Sequence, residues 1–170
     1  MYGKRFSPVC RNELIMRLLR RPDAVAEING EDRNIRGNVR FYQTECGVLV
    51  AAEIYGFDSV QKKCEERILG FHIHEGNSCS GDHNDPFADA MSHYNPDKCL
   101  HPYHAGDMPP LFVSCNRAFM VFLTDRFTVD EIIGRTVIIH SNPDDFTTNP
   151  SGNSGPKIAC GEIKALCPVR

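Results

Sequence analysis

An all-β fold, an antiparallel sandwich or barrel carrying two long loops, is what this sequence predicts. Three observations lead there. Short runs rich in Val, Ile, Phe and Tyr alternate with turn clusters. No long segment after residue 22 has a helical period, and Gly (13) and Pro (11) are plentiful. The 170 residues are 41% hydrophobic and 24% charged with a net charge of -3, enough for one core and unlike a disordered chain. No stretch reaches the roughly 18 apolar residues of a membrane span. No long basic run marks a nucleic-acid binder.

Residues 1–22 form a basic N-terminal extension, distinct from the β domain at 23–170. Lys4, Arg5, Arg11, Arg17, Arg20 and Arg21 face only Glu13 in charge, a net +5. Leu14, Ile15, Leu18 and Leu19 recur at helical spacing, which predicts a short amphipathic helix that packs on the domain or on a partner. Arg17 interrupts the only apolar run and no small-residue cleavage site follows, so no signal peptide is evident and the expected location is the cytoplasm. Strands are then expected at residues 24–29, 36–42, 47–55, 69–74, 118–123, 136–140 and 157–163. Asn29-Gly30 is a turn dipeptide, Cys46-Gly47 a weaker one, and residues 127–133 have room for a single helical turn. The loops at 75–111 and 141–156 exceed plain connections, as functional loops do.

Histidine placement carries the functional signal. His72 and His74 lie two apart in a predicted strand, so both rings leave the same face, about 6–7 Å apart along the chain. Such a pair suits one metal ion but is common without one. His93, His101, His104 and Asp107 offer three nitrogens and a carboxylate, the donor set of tetrahedral zinc. A metal clip would offset the entropy lost in ordering so long a loop, although a polar surface loop also scatters histidines. His140 closes a strand and, alone, reads as structural. Six of the seven histidines fall in these groups, leaving His83.

Several co-linear motifs closely resemble the copper–zinc superoxide dismutases. They are Gly70-Phe71-His72-Ile73-His74-Glu75, His93-Tyr94-Asn95-Pro96, His104-Ala105-Gly106-Asp107, the run from Ile133 to His140, and the run from Gly152 to Gly161. Order and spacing agree over roughly residues 24–164. The resemblance implies an eight-stranded Greek-key β-barrel, an immunoglobulin-like sandwich. It implies that His72, His74, His93 and His140 bind copper, and that His93 bridges as imidazolate to zinc held by His101, His104 and Asp107. Asp144 would hydrogen-bond one copper and one zinc histidine, fixing their rings. Cys79 and Cys160 would form the family disulfide. Redox-cycling copper would then dismutate superoxide to oxygen and hydrogen peroxide, with His93 taking up a proton and zinc as the structural partner. Superoxide is the implied partner, and the family contains both homodimers and monomers.

The departures are as informative. Where the family has an anion-docking arginine stands Lys157, the other expected catalytic residue beside His93, which keeps the charge but loses the planar fork. Reduced turnover is expected. An acidic insertion with Asp82, Asp85 and Asp89 flanks His83, placed to cover the metal mouth, shift the first loop or offer His83 as a ligand. Residues 145–152 lack the lysine-bearing loop of the animal enzymes. Cys10, Cys46, Cys64, Cys99, Cys115 and Cys167 have no family pairing, and one bridge with mostly reduced or buried thiols elsewhere is expected. The competing reading is a catalytically silent zinc- or copper-binding barrel. It lacks its usual signatures here: no Cys-x2-Cys for copper delivery, and no lost copper ligand.

Overall fold

A computed structural model describes residues 14, 16–32, 34–57 and 68–166. Nine antiparallel strands are β1 (Ala24–Gly30), β2 (Arg36–Thr44), β3 (Gly47–Tyr55), β4 (Ile68–Leu69), β5 (Phe71–His74), β6 (Leu111–Ser114), β7 (Arg117–Thr124), β8 (Thr136–His140) and β9 (Lys157–Ala165). Their order across the sheet is β4-β6-β7-β3-β2-β1-β9-β8-β5. The two end strands are consecutive in the chain, separated only by Gly70. Leu69 pairs with Leu111 and Phe71 with Ile139, so this kinked segment touches both edges and closes the sheet into a barrel. The single strand expected over 69–74 is thus two. Counted as one bent strand, they give the expected eight. Pairing of β3 with β7 and of β1 with β9 supplies the crossovers of a Greek key.

Alternation along each strand fills the interior. Ala24, Ala26 and Ile28 of β1 face inward with Val39 and Phe41 of β2 and Val48, Val50, Ala52 and Ile54 of β3. β5 and β8 differ because every residue in them is buried. Phe71, Ile73, Val137 and Ile139 point into the core. The opposite face of β8 is covered instead, Ile138 packing with Phe87, Ala90 and Cys160 beneath the first long loop. A strand covered on both faces can carry polar side chains outward and still keep them from water.

Among the strands, one escaped the sequence signal. β6 has only four residues, and its hairpin to β7 turns on Cys115 and Asn116, with φ of 49° and 65°, the left-handed pair of a type I′ turn. The short helix Val129–Ile132 occupies the expected turn, and Glu131 accepts hydrogen bonds from the Thr128 N–H and hydroxyl at its start.

Of the N-terminal extension, residues 14 and 16–18 are helical, while 1–13 and 15 lie outside the described residues. Leu14 and Leu18 pack on Tyr42, Leu49 and Ala51 on the outer face of the sheet, and Arg17 bonds the Gln43 carbonyl and Asp23. The helix therefore covers the domain itself. Among the described residues, no helix is long and apolar enough to cross a membrane.

Cys79 and Cys160 are disulfide-bonded, as the resemblance implied. Cys46, at the partly exposed β2–β3 hairpin tip, is also disulfide-bonded, which corrects the expectation of a single bridge. Cys99 and Cys115 are free and exposed. Cys10, Cys64 and Cys167 lie outside the described residues.

Candidate metal centre

β5 sends Phe71 and Ile73 into the core, so His72 and His74 leave on the outer face. The first long loop is stitched to that strand through Ile73. The Ile73 N–H donates to the Gly106 carbonyl (2.9 Å), and the Tyr94 N–H donates to the Ile73 carbonyl (2.8 Å). His93 and Asp107 are thereby set across from His74 and His72. Gly106 is required by the approach, since a Cβ there would sit 2.2 Å from the Ile73 carbonyl oxygen. The Arg126 guanidinium clamps the rest of the loop, donating to the carbonyls of Pro102 (2.9 Å), His104 (3.2 Å) and Asp107 (3.2 Å). At the end of β8 the register shifts between Ile139 and His140, a bulge that sets His140 opposite Lys157.

Two donor sets result. His72, His74, His93 and His140 form one; His93, His101, His104 and Asp107 form the other. Within each, the ligand atoms lie within 4.8 Å of one another, and all seven side chains are buried. His93 belongs to both.

Hydrogen-bond partners assign the tautomers. Asp144, buried, accepts from Nε2 of His72 (2.7 Å) and Nε2 of His101 (2.8 Å), leaving the Nδ1 of each ring as a bare acceptor. The Met91 carbonyl fixes Nδ1–H of His74, and the Gly155 carbonyl fixes Nδ1–H of His140, freeing both Nε2 atoms. Those two Nε2 atoms face each other at 3.2 Å. Two lone pairs so placed repel unless a proton or a cation lies between them. His93 Nδ1 meets Asp107 (2.7 Å), while His93 Nε2, His72 Nδ1, His101 Nδ1 and His104 Nδ1 are buried without a hydrogen-bond partner. Buried polar atoms are rarely left so. Each of these four imidazole nitrogens belongs to one of the two sets, so the residues fit two metal ions, the three-nitrogen-plus-carboxylate set matching zinc.

Electrostatics agree. Burial lowers His72 to about 4, His140 to about 3 and His74 well below its ordinary 6.5, keeping the rings neutral as metal ligands must be. His104 is lowered by the same cause. Burial pushes the Asp144 carboxyl up, but hydrogen bonds from His72, the Phe146 amide and His101 outweigh it and hold Asp144 at about 2. Asp107 is likewise pushed up by burial and pulled further down by His93 and its neighbours. Asp144 keeps its place because residue 152 is glycine: a Cβ there would lie 2.1 Å from its Oδ1.

Every sequence-predicted ligand, with Asp144, comes together. His83 does not: it is exposed and in neither set. Asp145 is a solvated cap on Thr147 and Thr148. Lys157 stands beside His74, His93 and His140 at a cavity of about 420 Å³, but its ammonium is paired with Asp85 of the acidic insertion. That contact falls within the first of the three roles open to the insertion, covering the metal mouth, and no local sequence signal specifies it.

Comparison with known proteins agrees with this geometry. The family model for copper/zinc superoxide dismutase (SODC) matches residues 35–163. The chain is 35% identical to the copper–zinc superoxide dismutase of Legionella pneumophila, covering 75% of this chain and 77% of that protein. It is 36% identical to the Photobacterium leiognathi enzyme of the same name, covering 75% and 78%. The crystal structure of a double mutant of a SOD-like protein from Bacillus subtilis superposes with a TM-score of 0.65 at 28% identity, covering 81% of this chain and 94% of that one. Barrel, paired donor sets and matched length together mean that this chain belongs to the copper/zinc superoxide dismutase family.

Proposed function

We propose that the chain dismutates superoxide, with copper held by His72, His74, His93 and His140 and zinc by His93, His101, His104 and Asp107. The observation that carries the reading is that the two donor sets share His93, whose ring offers one nitrogen to each. In the reaction two superoxide anions and two protons give one oxygen and one hydrogen peroxide, one superoxide losing the electron the other gains. Copper, when bound, supplies the one-electron acceptor and donor for that exchange, and zinc a fixed positive charge.

The chain's residues supply the rest. Asp144 holds His72 and His101 in their tautomers. His93 keeps Nδ1 toward Asp107 and takes up and returns a proton at Nε2. Lys157 attracts the anion, and the second proton comes from solvent in the cavity. The cysteine pair ties the first loop to β9, so the mouth keeps its shape.

The silent metal-binding reading has one observation in its favour: the paired Lys157 leaves less free positive charge at the mouth. Metal content and superoxide consumption, measured before and after copper addition, separate the two. About one copper and one zinc per chain with copper-dependent consumption is expected. Zinc bound with no consumption after copper loading overturns the enzyme reading. The superoxide anion is the partner under this proposal, and sedimentation tests the homodimer. A cytoplasmic location is weighed against the bonded Cys46 and the Cys79–Cys160 pair, because cytosolic thiol pools reduce disulfides. Alkylation in intact cells before lysis decides it.

A further inference from the structure

The rim of the cavity over His74, His93 and His140 carries one ion pair, Lys157 with Asp85. The lysine side chain is 14% exposed and the aspartate 40%. Surface pairs of this kind usually wander and contribute little. This one is built in. Asp85 Oδ1 accepts the Phe87 N–H (3.1 Å), while its own N–H donates to Asp82 Oδ1 (3.1 Å). Its carbonyl accepts the N–H groups of Asp82 and Ala88, both at 3.0 Å. Two residues on, Phe87 is buried against Ile138 and Cys160, beside the disulfide. The acidic loop is therefore fixed at the point where its carboxylate meets the ammonium. Burial pushes that carboxyl up, but the hydrogen bonds from Lys157 and the Phe87 amide leave it below the ordinary carboxylate range, so it is ionised at neutral pH.

A carboxylate in that position acts twice on an incoming anion. It occupies a donor of the ammonium that would dock the anion, and it repels the anion directly. We propose that Asp85 is an anion gate: it holds Lys157 so that a small anion reaches the cavity's lysine only in competition with the carboxylate. The natural anion depends on the dismutase reading. The gating itself does not.

The test compares Asp85→Asn with wild type and with Glu27→Gln, which removes the same charge from the exposed face of β1. Asp85→Asn keeps the oxygen that accepts the Phe87 amide, so the loop is retained. The first readout is azide affinity of the copper-loaded protein, followed by absorption. Asp85→Asn is expected to tighten it about 5- to 20-fold, and Glu27→Gln to change it less than about 2-fold. The second is the acetylation rate of Lys157 in zinc-loaded, copper-free protein, read by peptide mass spectrometry. It is expected to rise at least about 3-fold in Asp85→Asn.

Unchanged azide affinity overturns the gate. Tighter azide with unchanged lysine reactivity also overturns it, because the charge then acts without holding Lys157. If both readouts rise yet no form of the protein consumes superoxide, the gate stands and the dismutase reading falls. If superoxide is consumed and neither readout moves, the reverse holds.

Discussion

At the scale of single residues, the centre works by denying partners to particular nitrogens. Asp144 accepts hydrogen bonds from Nε2–H of His72 and His101, and the carbonyls of Met91 and Gly155 accept from Nδ1–H of His74 and His140. Burial then keeps His72, His74 and His140 neutral, with a consequence for acid stability. Between about pH 6.5 and about 4, histidines of the unfolded chain bind protons that folded His72 and His140 refuse. The unfolded state holds more protons there, so stability of the metal-free protein falls as pH falls through that window. The Asp144 contribution has the opposite position: full above its unfolded value near 4, lost only as pH drops toward about 2. Urea midpoints of metal-free protein at pH 7.5 and 5 check this, the lower pH giving the lower midpoint. Lys157 sets the second prediction. Lys157→Arg restores a planar fork able to grip Asp85 and an anion together, and is expected to raise superoxide consumption roughly 2- to 5-fold. A rate equal to or below wild type would show that lysine does not limit turnover.

At the scale of elements, the loop bearing His93, His101, His104 and Asp107 is ordered by backbone rather than by helix or strand. Its joint is the close approach of Gly106 to Ile73. Gly106→Ala drives a methyl group into the Ile73 carbonyl, and is expected to cost about 2–4 kcal/mol and to weaken zinc binding more than 10-fold. Thermal unfolding and zinc titration measure both, and an unchanged zinc affinity would mean that the loop is positioned elsewhere. Such joints explain what could be read from sequence. Strands announced themselves through alternation, and the ligands through residue type and order, since His72-x-His74 on a strand fixes a shared face. The four-residue β6 was hidden because Cys-Asn is not the usual type I′ pair. The kink at Gly70 was hidden inside one apolar run. The bulge that swings His140 toward Lys157 has no local signature. The meeting of Asp85 with Lys157, 72 positions apart, is a product of tertiary packing alone.

For the whole molecule, Gly70 joins two tasks in one stretch of chain. The residues before it pair with β6 and those after it with β8, so it forms the seam of the cylinder. His72 and His74 lie immediately past that seam. An ion gripped by them and by His140 would tie β5 to β8 immediately beside the seam, and opening the barrel there would undo its grip. Departure of the ion and rupture of the cylinder are then expected to share one rate-limiting event. Chelators should extract metal at a rate independent of their own concentration and equal to the unfolding rate measured in the same buffer. Stopped-flow release against increasing chelator tests this; a rate that climbs with chelator would mean that the ion leaves through the cavity with the barrel intact. On this account the fold is a slow clock for its own metals, and their residence time is set by the lifetime of the closed cylinder.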